Sequence, residues 1–166
     1  MSQFFTKKED IVRWCDEVMI SDYTINSDLV VDVNGVVVLY VVHMDQLPVQ
    51  FGRVENDFIL GENGLKTLKG VPYYVGGDFI CGGNKIKDLD YFPQEIHDRI
   101  ILLNNPLESF TSPLEKANNI IWISQAIPGL TYLDIDENGY YKYNVDDYLK
   151  WNEDTKYFID EHSFYI

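Results

Sequence analysis

The chain has 166 residues, of which 46% are hydrophobic, enough for one domain with a sizeable apolar core. Its formal net charge is −14, from 27 acidic and 13 basic residues. That balance works against direct nucleic-acid binding, which needs Lys and Arg on phosphates, and against anionic membrane surfaces.

No apolar run approaches the roughly 18 residues of a membrane span. The start, MSQFFTKKED, lacks the basic-then-apolar layout of a signal peptide. Cys15 and Cys81 lie far apart without metal-ligand spacing, which suits a reducing compartment, so a cytoplasmic location is expected. A single domain over 1–166 is expected in three parts: a helical N-terminal cap (1–21), a hairpin with repeats (22–111) and a C-terminal cap (112–166).

The first element is a helix over FFTKKEDIVRWCDEVMI. Thr6 and Glu9 have capping-box spacing, and Ile11, Trp14, Cys15, Val18 and Met19 share one face. Cys15 then reads as a core thiol. Next, residues 29–33 and 36–40 flank Asn34-Gly35, the strongest short hairpin signal.

A repeat follows. Asn63, Asn84 and Asn105 are spaced by 21, as are Phe58, Phe79 and Ile100, then Leu65, Ile86 and Leu107, then Leu68, Leu89 and Phe110. Val33, Val54, Val75 and Ile96 keep the same step, and Pro72 is echoed by Pro93. A worn earlier copy holds Val37, Leu39, Met44 and Leu47, and a later one Ile121 and Ile123. Phe58 and Leu60 alternate on a short strand and point inward. Asn63 can both donate to and accept from the backbone where the chain leaves that strand. One unit cannot bury its own apolar face, but stacked units can. The stretch GGDFICGGNKIKDL therefore reads as turns around a strand rather than a phosphate loop, because neither the G-x-x-x-x-G-K-[ST] spelling nor a following helix is present.

In the C-terminal third, residues 112–119 suggest a short helix with Pro113 in its first turn, and 119–124 a fifth strand. Asp134, Asp136, Asn138 and Gly139 match the opening of a calcium loop, but Val145 stands where a bidentate Glu is required. Asn138-Gly139 reads more simply as a hairpin turn between 133–135 and 140–143. From Asp146 onward aromatics are interleaved with acids, Tyr148 and Trp151 sharing a helical face. This segment is read as a cap over the last repeat's open edge.

The core F-x-L-x-x-N-x-L-x-x-L is the pattern of a leucine-rich repeat. The expected fold is an α/β, leucine-rich-repeat-like solenoid with a parallel sheet. The run VENDFILGENGLKTLKGVPYYVGGDFICGGNKIKDL and the lead-in DYTINSDLVVDVNGVVVL resemble short leucine-rich-repeat-like proteins encoded mainly by bacteriophages and some bacteria. The resemblance covers roughly 22–110 and implies protein binding. The C-terminal third does not match it.

Catalytic and metal motifs are absent. His43, His97 and His162 belong to no H-E-x-x-H or Cys/His pairing, and there is no G-x-S-x-G elbow. Neither a catalytic centre nor a cofactor or metal site is expected. The repeat register instead turns Val38, Ile59, Ile80 and Ile101, with Trp122 as a fifth rung, outward in one column. Asp57 and Asp78 flank it on one side, Tyr40 and Leu103 on the other. An apolar ladder on an open face marks an interaction site. Its occupant is either a partner, a host protein or a second copy, or the aromatic tail folded back. The functional expectation is a non-enzymatic, phage-borne, cytoplasmic module that binds and modulates a host protein. An acidic nucleic-acid mimic is the alternative.

Overall fold

The computed structural model describes residues 4–118 and 120–162, and of 156–162 the course of the backbone alone. It is a β-solenoid with a period of about 21 residues and a helix near each end. In chain order the elements are α1 (Lys8–Glu17), β1 (Tyr23–Ile25), β2 (Val30–Val33), β3 (Val37–Tyr40), β4 (Gln50–Val54), β5 (Phe58–Gly61), β6 (Tyr74–Val75) and β7 (Phe79–Ile80). There follow β8 (Glu95–Ile96), β9 (Ile100–Ile101), β10 (Lys116–Ala117), β11 (Ile121–Ile123), β12 (Asp134–Ile135), β13 (Tyr141–Tyr143) and α2 (Val145–His162).

Each coil contributes one strand to each of two sheets. One sheet runs β1-β2-β4-β6-β8-β10 and the other β12-β13-β11-β9-β7-β5-β3. Pairing is parallel from coil to coil, with Phe58 opposite Phe79 and Phe79 opposite Ile100. All three point into the core and are buried, as the repeat requires. The same step aligns Tyr74 with Glu95, and Val75 with Ile96, in the other sheet. Fully aligned columns are the reason a 21-residue unit folds this way: stacking buries one residue of each column against the next. A file of rings runs through the centre. Trp14 meets Phe51 at 6.3 Å between centroids, Phe51 meets Phe58 at 5.2 Å, Phe58 stacks on Phe79 at 6.1 Å and Phe79 meets Phe92 at 5.1 Å.

The asparagine column closes the coils polar side in. Asn84 Nδ2 donates to Leu60 O (2.7 Å), while its Oδ1 accepts from the N–H groups of Asn63 and Leu65 (3.1 Å each). Asn63 donates to Leu39 O and Asn105 to Cys81 O in the same way. Each amide thus serves the preceding coil, and all three are buried.

Three sequence expectations are corrected. Asn34-Gly35 does not close a hairpin. β2 and β3 lie in different sheets, and the pair is the corner between them, matching Glu55-Asn56 and Gly76-Gly77 in later coils. The antiparallel partner of β2 is β1. The helix expected over 112–119 is not found among its described residues, 112–118: Lys116 and Ala117 pair in parallel with Glu95 and Ile96 as another copy of the repeat strand. The Thr6–Glu9 capping box does not form. Phe5 N–H is tied to Pro48 O, and α1 starts a residue later, with Lys7 at the N-cap and no side-chain cap bond.

The glycines of GGDFICGGNKIKDL are structural. A Cβ on Gly76 would lie 2.0 Å from the Glu55 carbonyl oxygen of the coil below. Gly83 has φ +66° in a left-handed corner slot also occupied by Val41, Glu62 and Asn104. Val41, β-branched, is the strained member of that set.

The Asn138-Gly139 hairpin is present, with Asp134 opposite Lys142 and Ile135 opposite Tyr141. Asp136 Oδ1 accepts the N–H groups of Asn138 and Tyr140 at 2.9 Å each, which fixes the turn. In α2, Asn144 Oδ1 accepts from Asp146 and Asp147 N–H at the first turn. Tyr148 Oη donates to Phe110 O, and the amide of Asn152 bonds both Ser112 N–H (2.8 Å) and Ser112 O (2.9 Å). Among the described residues no helix is long and apolar enough to cross a membrane.

Candidate functional site

The outer face of the seven-stranded sheet carries the ladder in register. Val38 is opposite Ile59, Ile59 opposite Ile80, Ile80 opposite Ile101 and Ile101 opposite Trp122. At the strand spacing of about 4.8 Å, five rungs span roughly 19 Å. The alternation that puts Phe58 and Leu60 inside turns Ile59 out, and the 21-residue step repeats the choice. Val38, on the edge strand, is 52% exposed; the other rungs are half-buried by one another. The last rung gains a partner that sequence reasoning missed. Lys142 on β13 lies opposite Trp122, with its Nζ 4.4 Å from the ring centroid.

The flanks are less alike than their columns suggest. Tyr40 lies opposite Gly61 with its ring over it, where a Cβ would come within 2.1 Å of the ring. Asp57 and Asp78 form a staircase with Arg99. Asp57 Oδ1 accepts Asp78 N–H (2.9 Å). Asp78 Oδ1 accepts Arg99 N–H (2.9 Å) and Nε (3.1 Å), and Asp78 Oδ2 accepts Nη2 (2.6 Å). Asp78 is only 6% exposed, so its carboxylate is spent on Arg99 and not offered to solvent. Arg99 sits one repeat step beyond Asp78, and that spacing was the available signal.

Burial alone would raise the Asp78 carboxyl, but the side-chain and backbone hydrogen bonds from Arg99 outweigh it and hold the group below the usual carboxylate range. A depressed folded-state value stabilises the fold above the unfolded value and loses that contribution as pH falls through the folded value. Urea titrations of Asp78→Asn are therefore expected to show lower stability than the parent at neutral pH and a gap that shrinks below about pH 4. A gap that stays constant down to pH 2 would contradict this.

The opposite sheet's outer face is polar and internally engaged. The Arg53 guanidinium lies 3.4 Å from the Tyr74 centroid, and Glu95 takes both Lys116 (2.7 Å) and His97 (2.6 Å). The two thiols are equally committed. Cys81 fills the inward slot between Leu60 and Leu102, where burial pushes it up to about 12. Burial and the charge of Asp16 push Cys15 up to about 11. Neither has the thiolate character of a nucleophile. Among the described residues, no group of three or more His, Cys, Asp or Glu side chains converges to hold a metal ion.

Comparison with protein-family models, with curated proteins and with solved structures returns no match. The reading of the site therefore rests on its own geometry.

The tail does not reach the ladder through its described contacts. The bonds of Tyr148 and Asn152 run to Phe110 and Ser112, on the approach to β10. The side chains of Tyr157 and Phe158, and all of Phe164 and Tyr165, lie outside the described residues.

Proposed function

We propose that the protein is a non-enzymatic binding module that takes a partner protein on the outer face of the seven-stranded sheet. The observation that carries this reading is the five-rung, in-register apolar ladder Val38–Ile59–Ile80–Ile101–Trp122, beside an opposite face whose side chains already satisfy one another. The leucine-rich-repeat-like unit and its likeness to short phage proteins support a phage-borne module that acts in the host cytosol. There it binds and modulates a host protein such as a nuclease or defence factor. α1 and α2 serve as caps on the first and last coils.

Ile80 is the middle rung, facing away from Phe79. Tagged protein is used to purify a partner from host lysate, and the purified partner is titrated against variants. Ile80→Asp is expected to leave the melting temperature within a few degrees of the parent and to weaken binding by about a hundredfold or more. A partner covering the ladder would have to bury an unpaired carboxylate. Full affinity in Ile80→Asp would refute the ladder. If affinity instead collapsed with added salt and on neutralising Asp146, Asp147, Glu153 and Asp154, charge mimicry would replace it.

A further inference from the structure

The solenoid's sheet ends are not treated alike. At the N-terminal end, β1 covers β2 as an antiparallel strand. At the C-terminal end, the β12–β13 hairpin covers β11. The remaining outer strands, β1, β10 and β12, are two or three residues long and carry Thr24, Lys116 and Asp134, the short and polar edges that keep sheets from pairing. β3 has neither protection. It is four residues long and sits in the uncharged run VVVLYVV, and Val36, Val38, Tyr40, Val41 and Val42 are all exposed.

We infer that two copies of the chain pair through β3, antiparallel about a twofold axis at Leu39. Val37 N–H donates to Asp57 O (2.9 Å) and Val41 N–H to Gly61 O (3.0 Å), both toward β5. Alternation along the strand then aims the N–H and C=O groups of Val38 and Tyr40 away from β5, at the open edge. That edge is complementary to itself. With Leu39 facing Leu39 of the second copy on the axis, Val38 of each copy exchanges both hydrogen bonds with Tyr40 of the other, giving four bonds in all. Directly opposed residues share a face, so each Val38 side chain lies across the seam from Tyr40 of the other copy, a favoured β-branched–aromatic cross-strand pairing. The contact is isologous and uses up the open edge, so assembly stops at two. It also sets the two ladders end to end in one sheet.

A second copy fits this edge better than an acidic or basic partner strand, because nothing charged lies in the run. The net charge of −14 per chain opposes pairing only through space, and salt screens it. The contact is small, so a weak, micromolar dimer is expected.

Sedimentation equilibrium of the full chain at low and high salt tests this. The expected result is a monomer–dimer equilibrium that tightens as salt rises. Val38→Pro deletes an N–H that β5 does not use, and should raise the dissociation constant at least about tenfold with the fold retained by circular dichroism. Tyr40→Glu places two more like charges at the contact, beside Glu62, and should do the same, and it decides the matter if the proline variant fails to fold. Ile80→Asp, on the ladder, should leave the dimer intact. Four results would overturn the inference: a monomer at all salt concentrations, assembly beyond two, a dimer indifferent to both edge variants, or a dimer abolished by Ile80→Asp. The first three do not bear on the ladder's binding of a different protein; the fourth would place self-association on the ladder itself.

Discussion

Phe79→Ala is expected to remove about 3–5 kcal/mol of stability, the cost of truncating a fully buried aromatic in a core that collapses poorly around the space. The ring is fully buried, stacked on Phe58 with planes 15° apart and meeting Phe92 edge-on at 5.1 Å. It is the fourth of five rings in the file from Trp14 to Phe92, so its loss leaves Phe92 without its ring partner and Phe58 with Phe51 alone. For a chain of this size the melting temperature should fall by roughly 10 °C. Guanidinium titration with an unchanged m-value would confirm a loss of stability rather than a change in the unfolded state. A loss under about 1 kcal/mol would mean that the columns are not packed as described.

Asn84→Ala is expected to cost about 4 kcal/mol, although it deletes only a small polar side chain. The buried groups it leaves are the cause: Asn63 N–H, Leu65 N–H and Leu60 O lose their partners, at about 1–3 kcal/mol for each group left unsatisfied. Hydrogen exchange supplies a second readout. The amides of Asn63 and Leu65 should lose protection far more than that of Phe58, whose N–H is held by Asp78 O in the adjacent ladder. Uniform loss of protection across all three amides would assign the cost to global unfolding and not to these bonds.

The strands around Phe58, Phe79 and Ile100 were legible in the sequence because two inward residues, two apart, recur with every unit and are followed by an asparagine. The second sheet was not. β6 and β8 are two residues long with one inward side chain each, Val75 and Ile96, so no alternation exists to be seen, only a column without an element. Asn34-Gly35 misled for a related reason. A turn dipeptide between two apolar runs looks the same whether the strands fold back onto each other or pass into different layers, and only coil-to-coil pairing decides. Pro113 misled by its taste for first helical turns, although it stands one step from Phe92 in the repeat. The ladder itself followed from the register. The hold of Arg99 on Asp78 and the place of Lys142 over Trp122 did not. The first needed the repeat step extended to charged residues, and the second depends on a hairpin whose docking no local signal encodes.

The asparagine column also has a direction. Asn63 reaches Leu39, Asn84 reaches Leu60 and Asn105 reaches Cys81, always toward residues nearer the amino terminus. α1 and β1, which pack on the first coil, are likewise made before it. As the polypeptide leaves the ribosome, each newly emerged amide therefore meets carbonyl and N–H groups that are already in place. Growth can proceed by addition of one coil at a time to a finished template. The order of synthesis and the order of bonding coincide, and no coil has to wait for a segment not yet translated to satisfy its own asparagine.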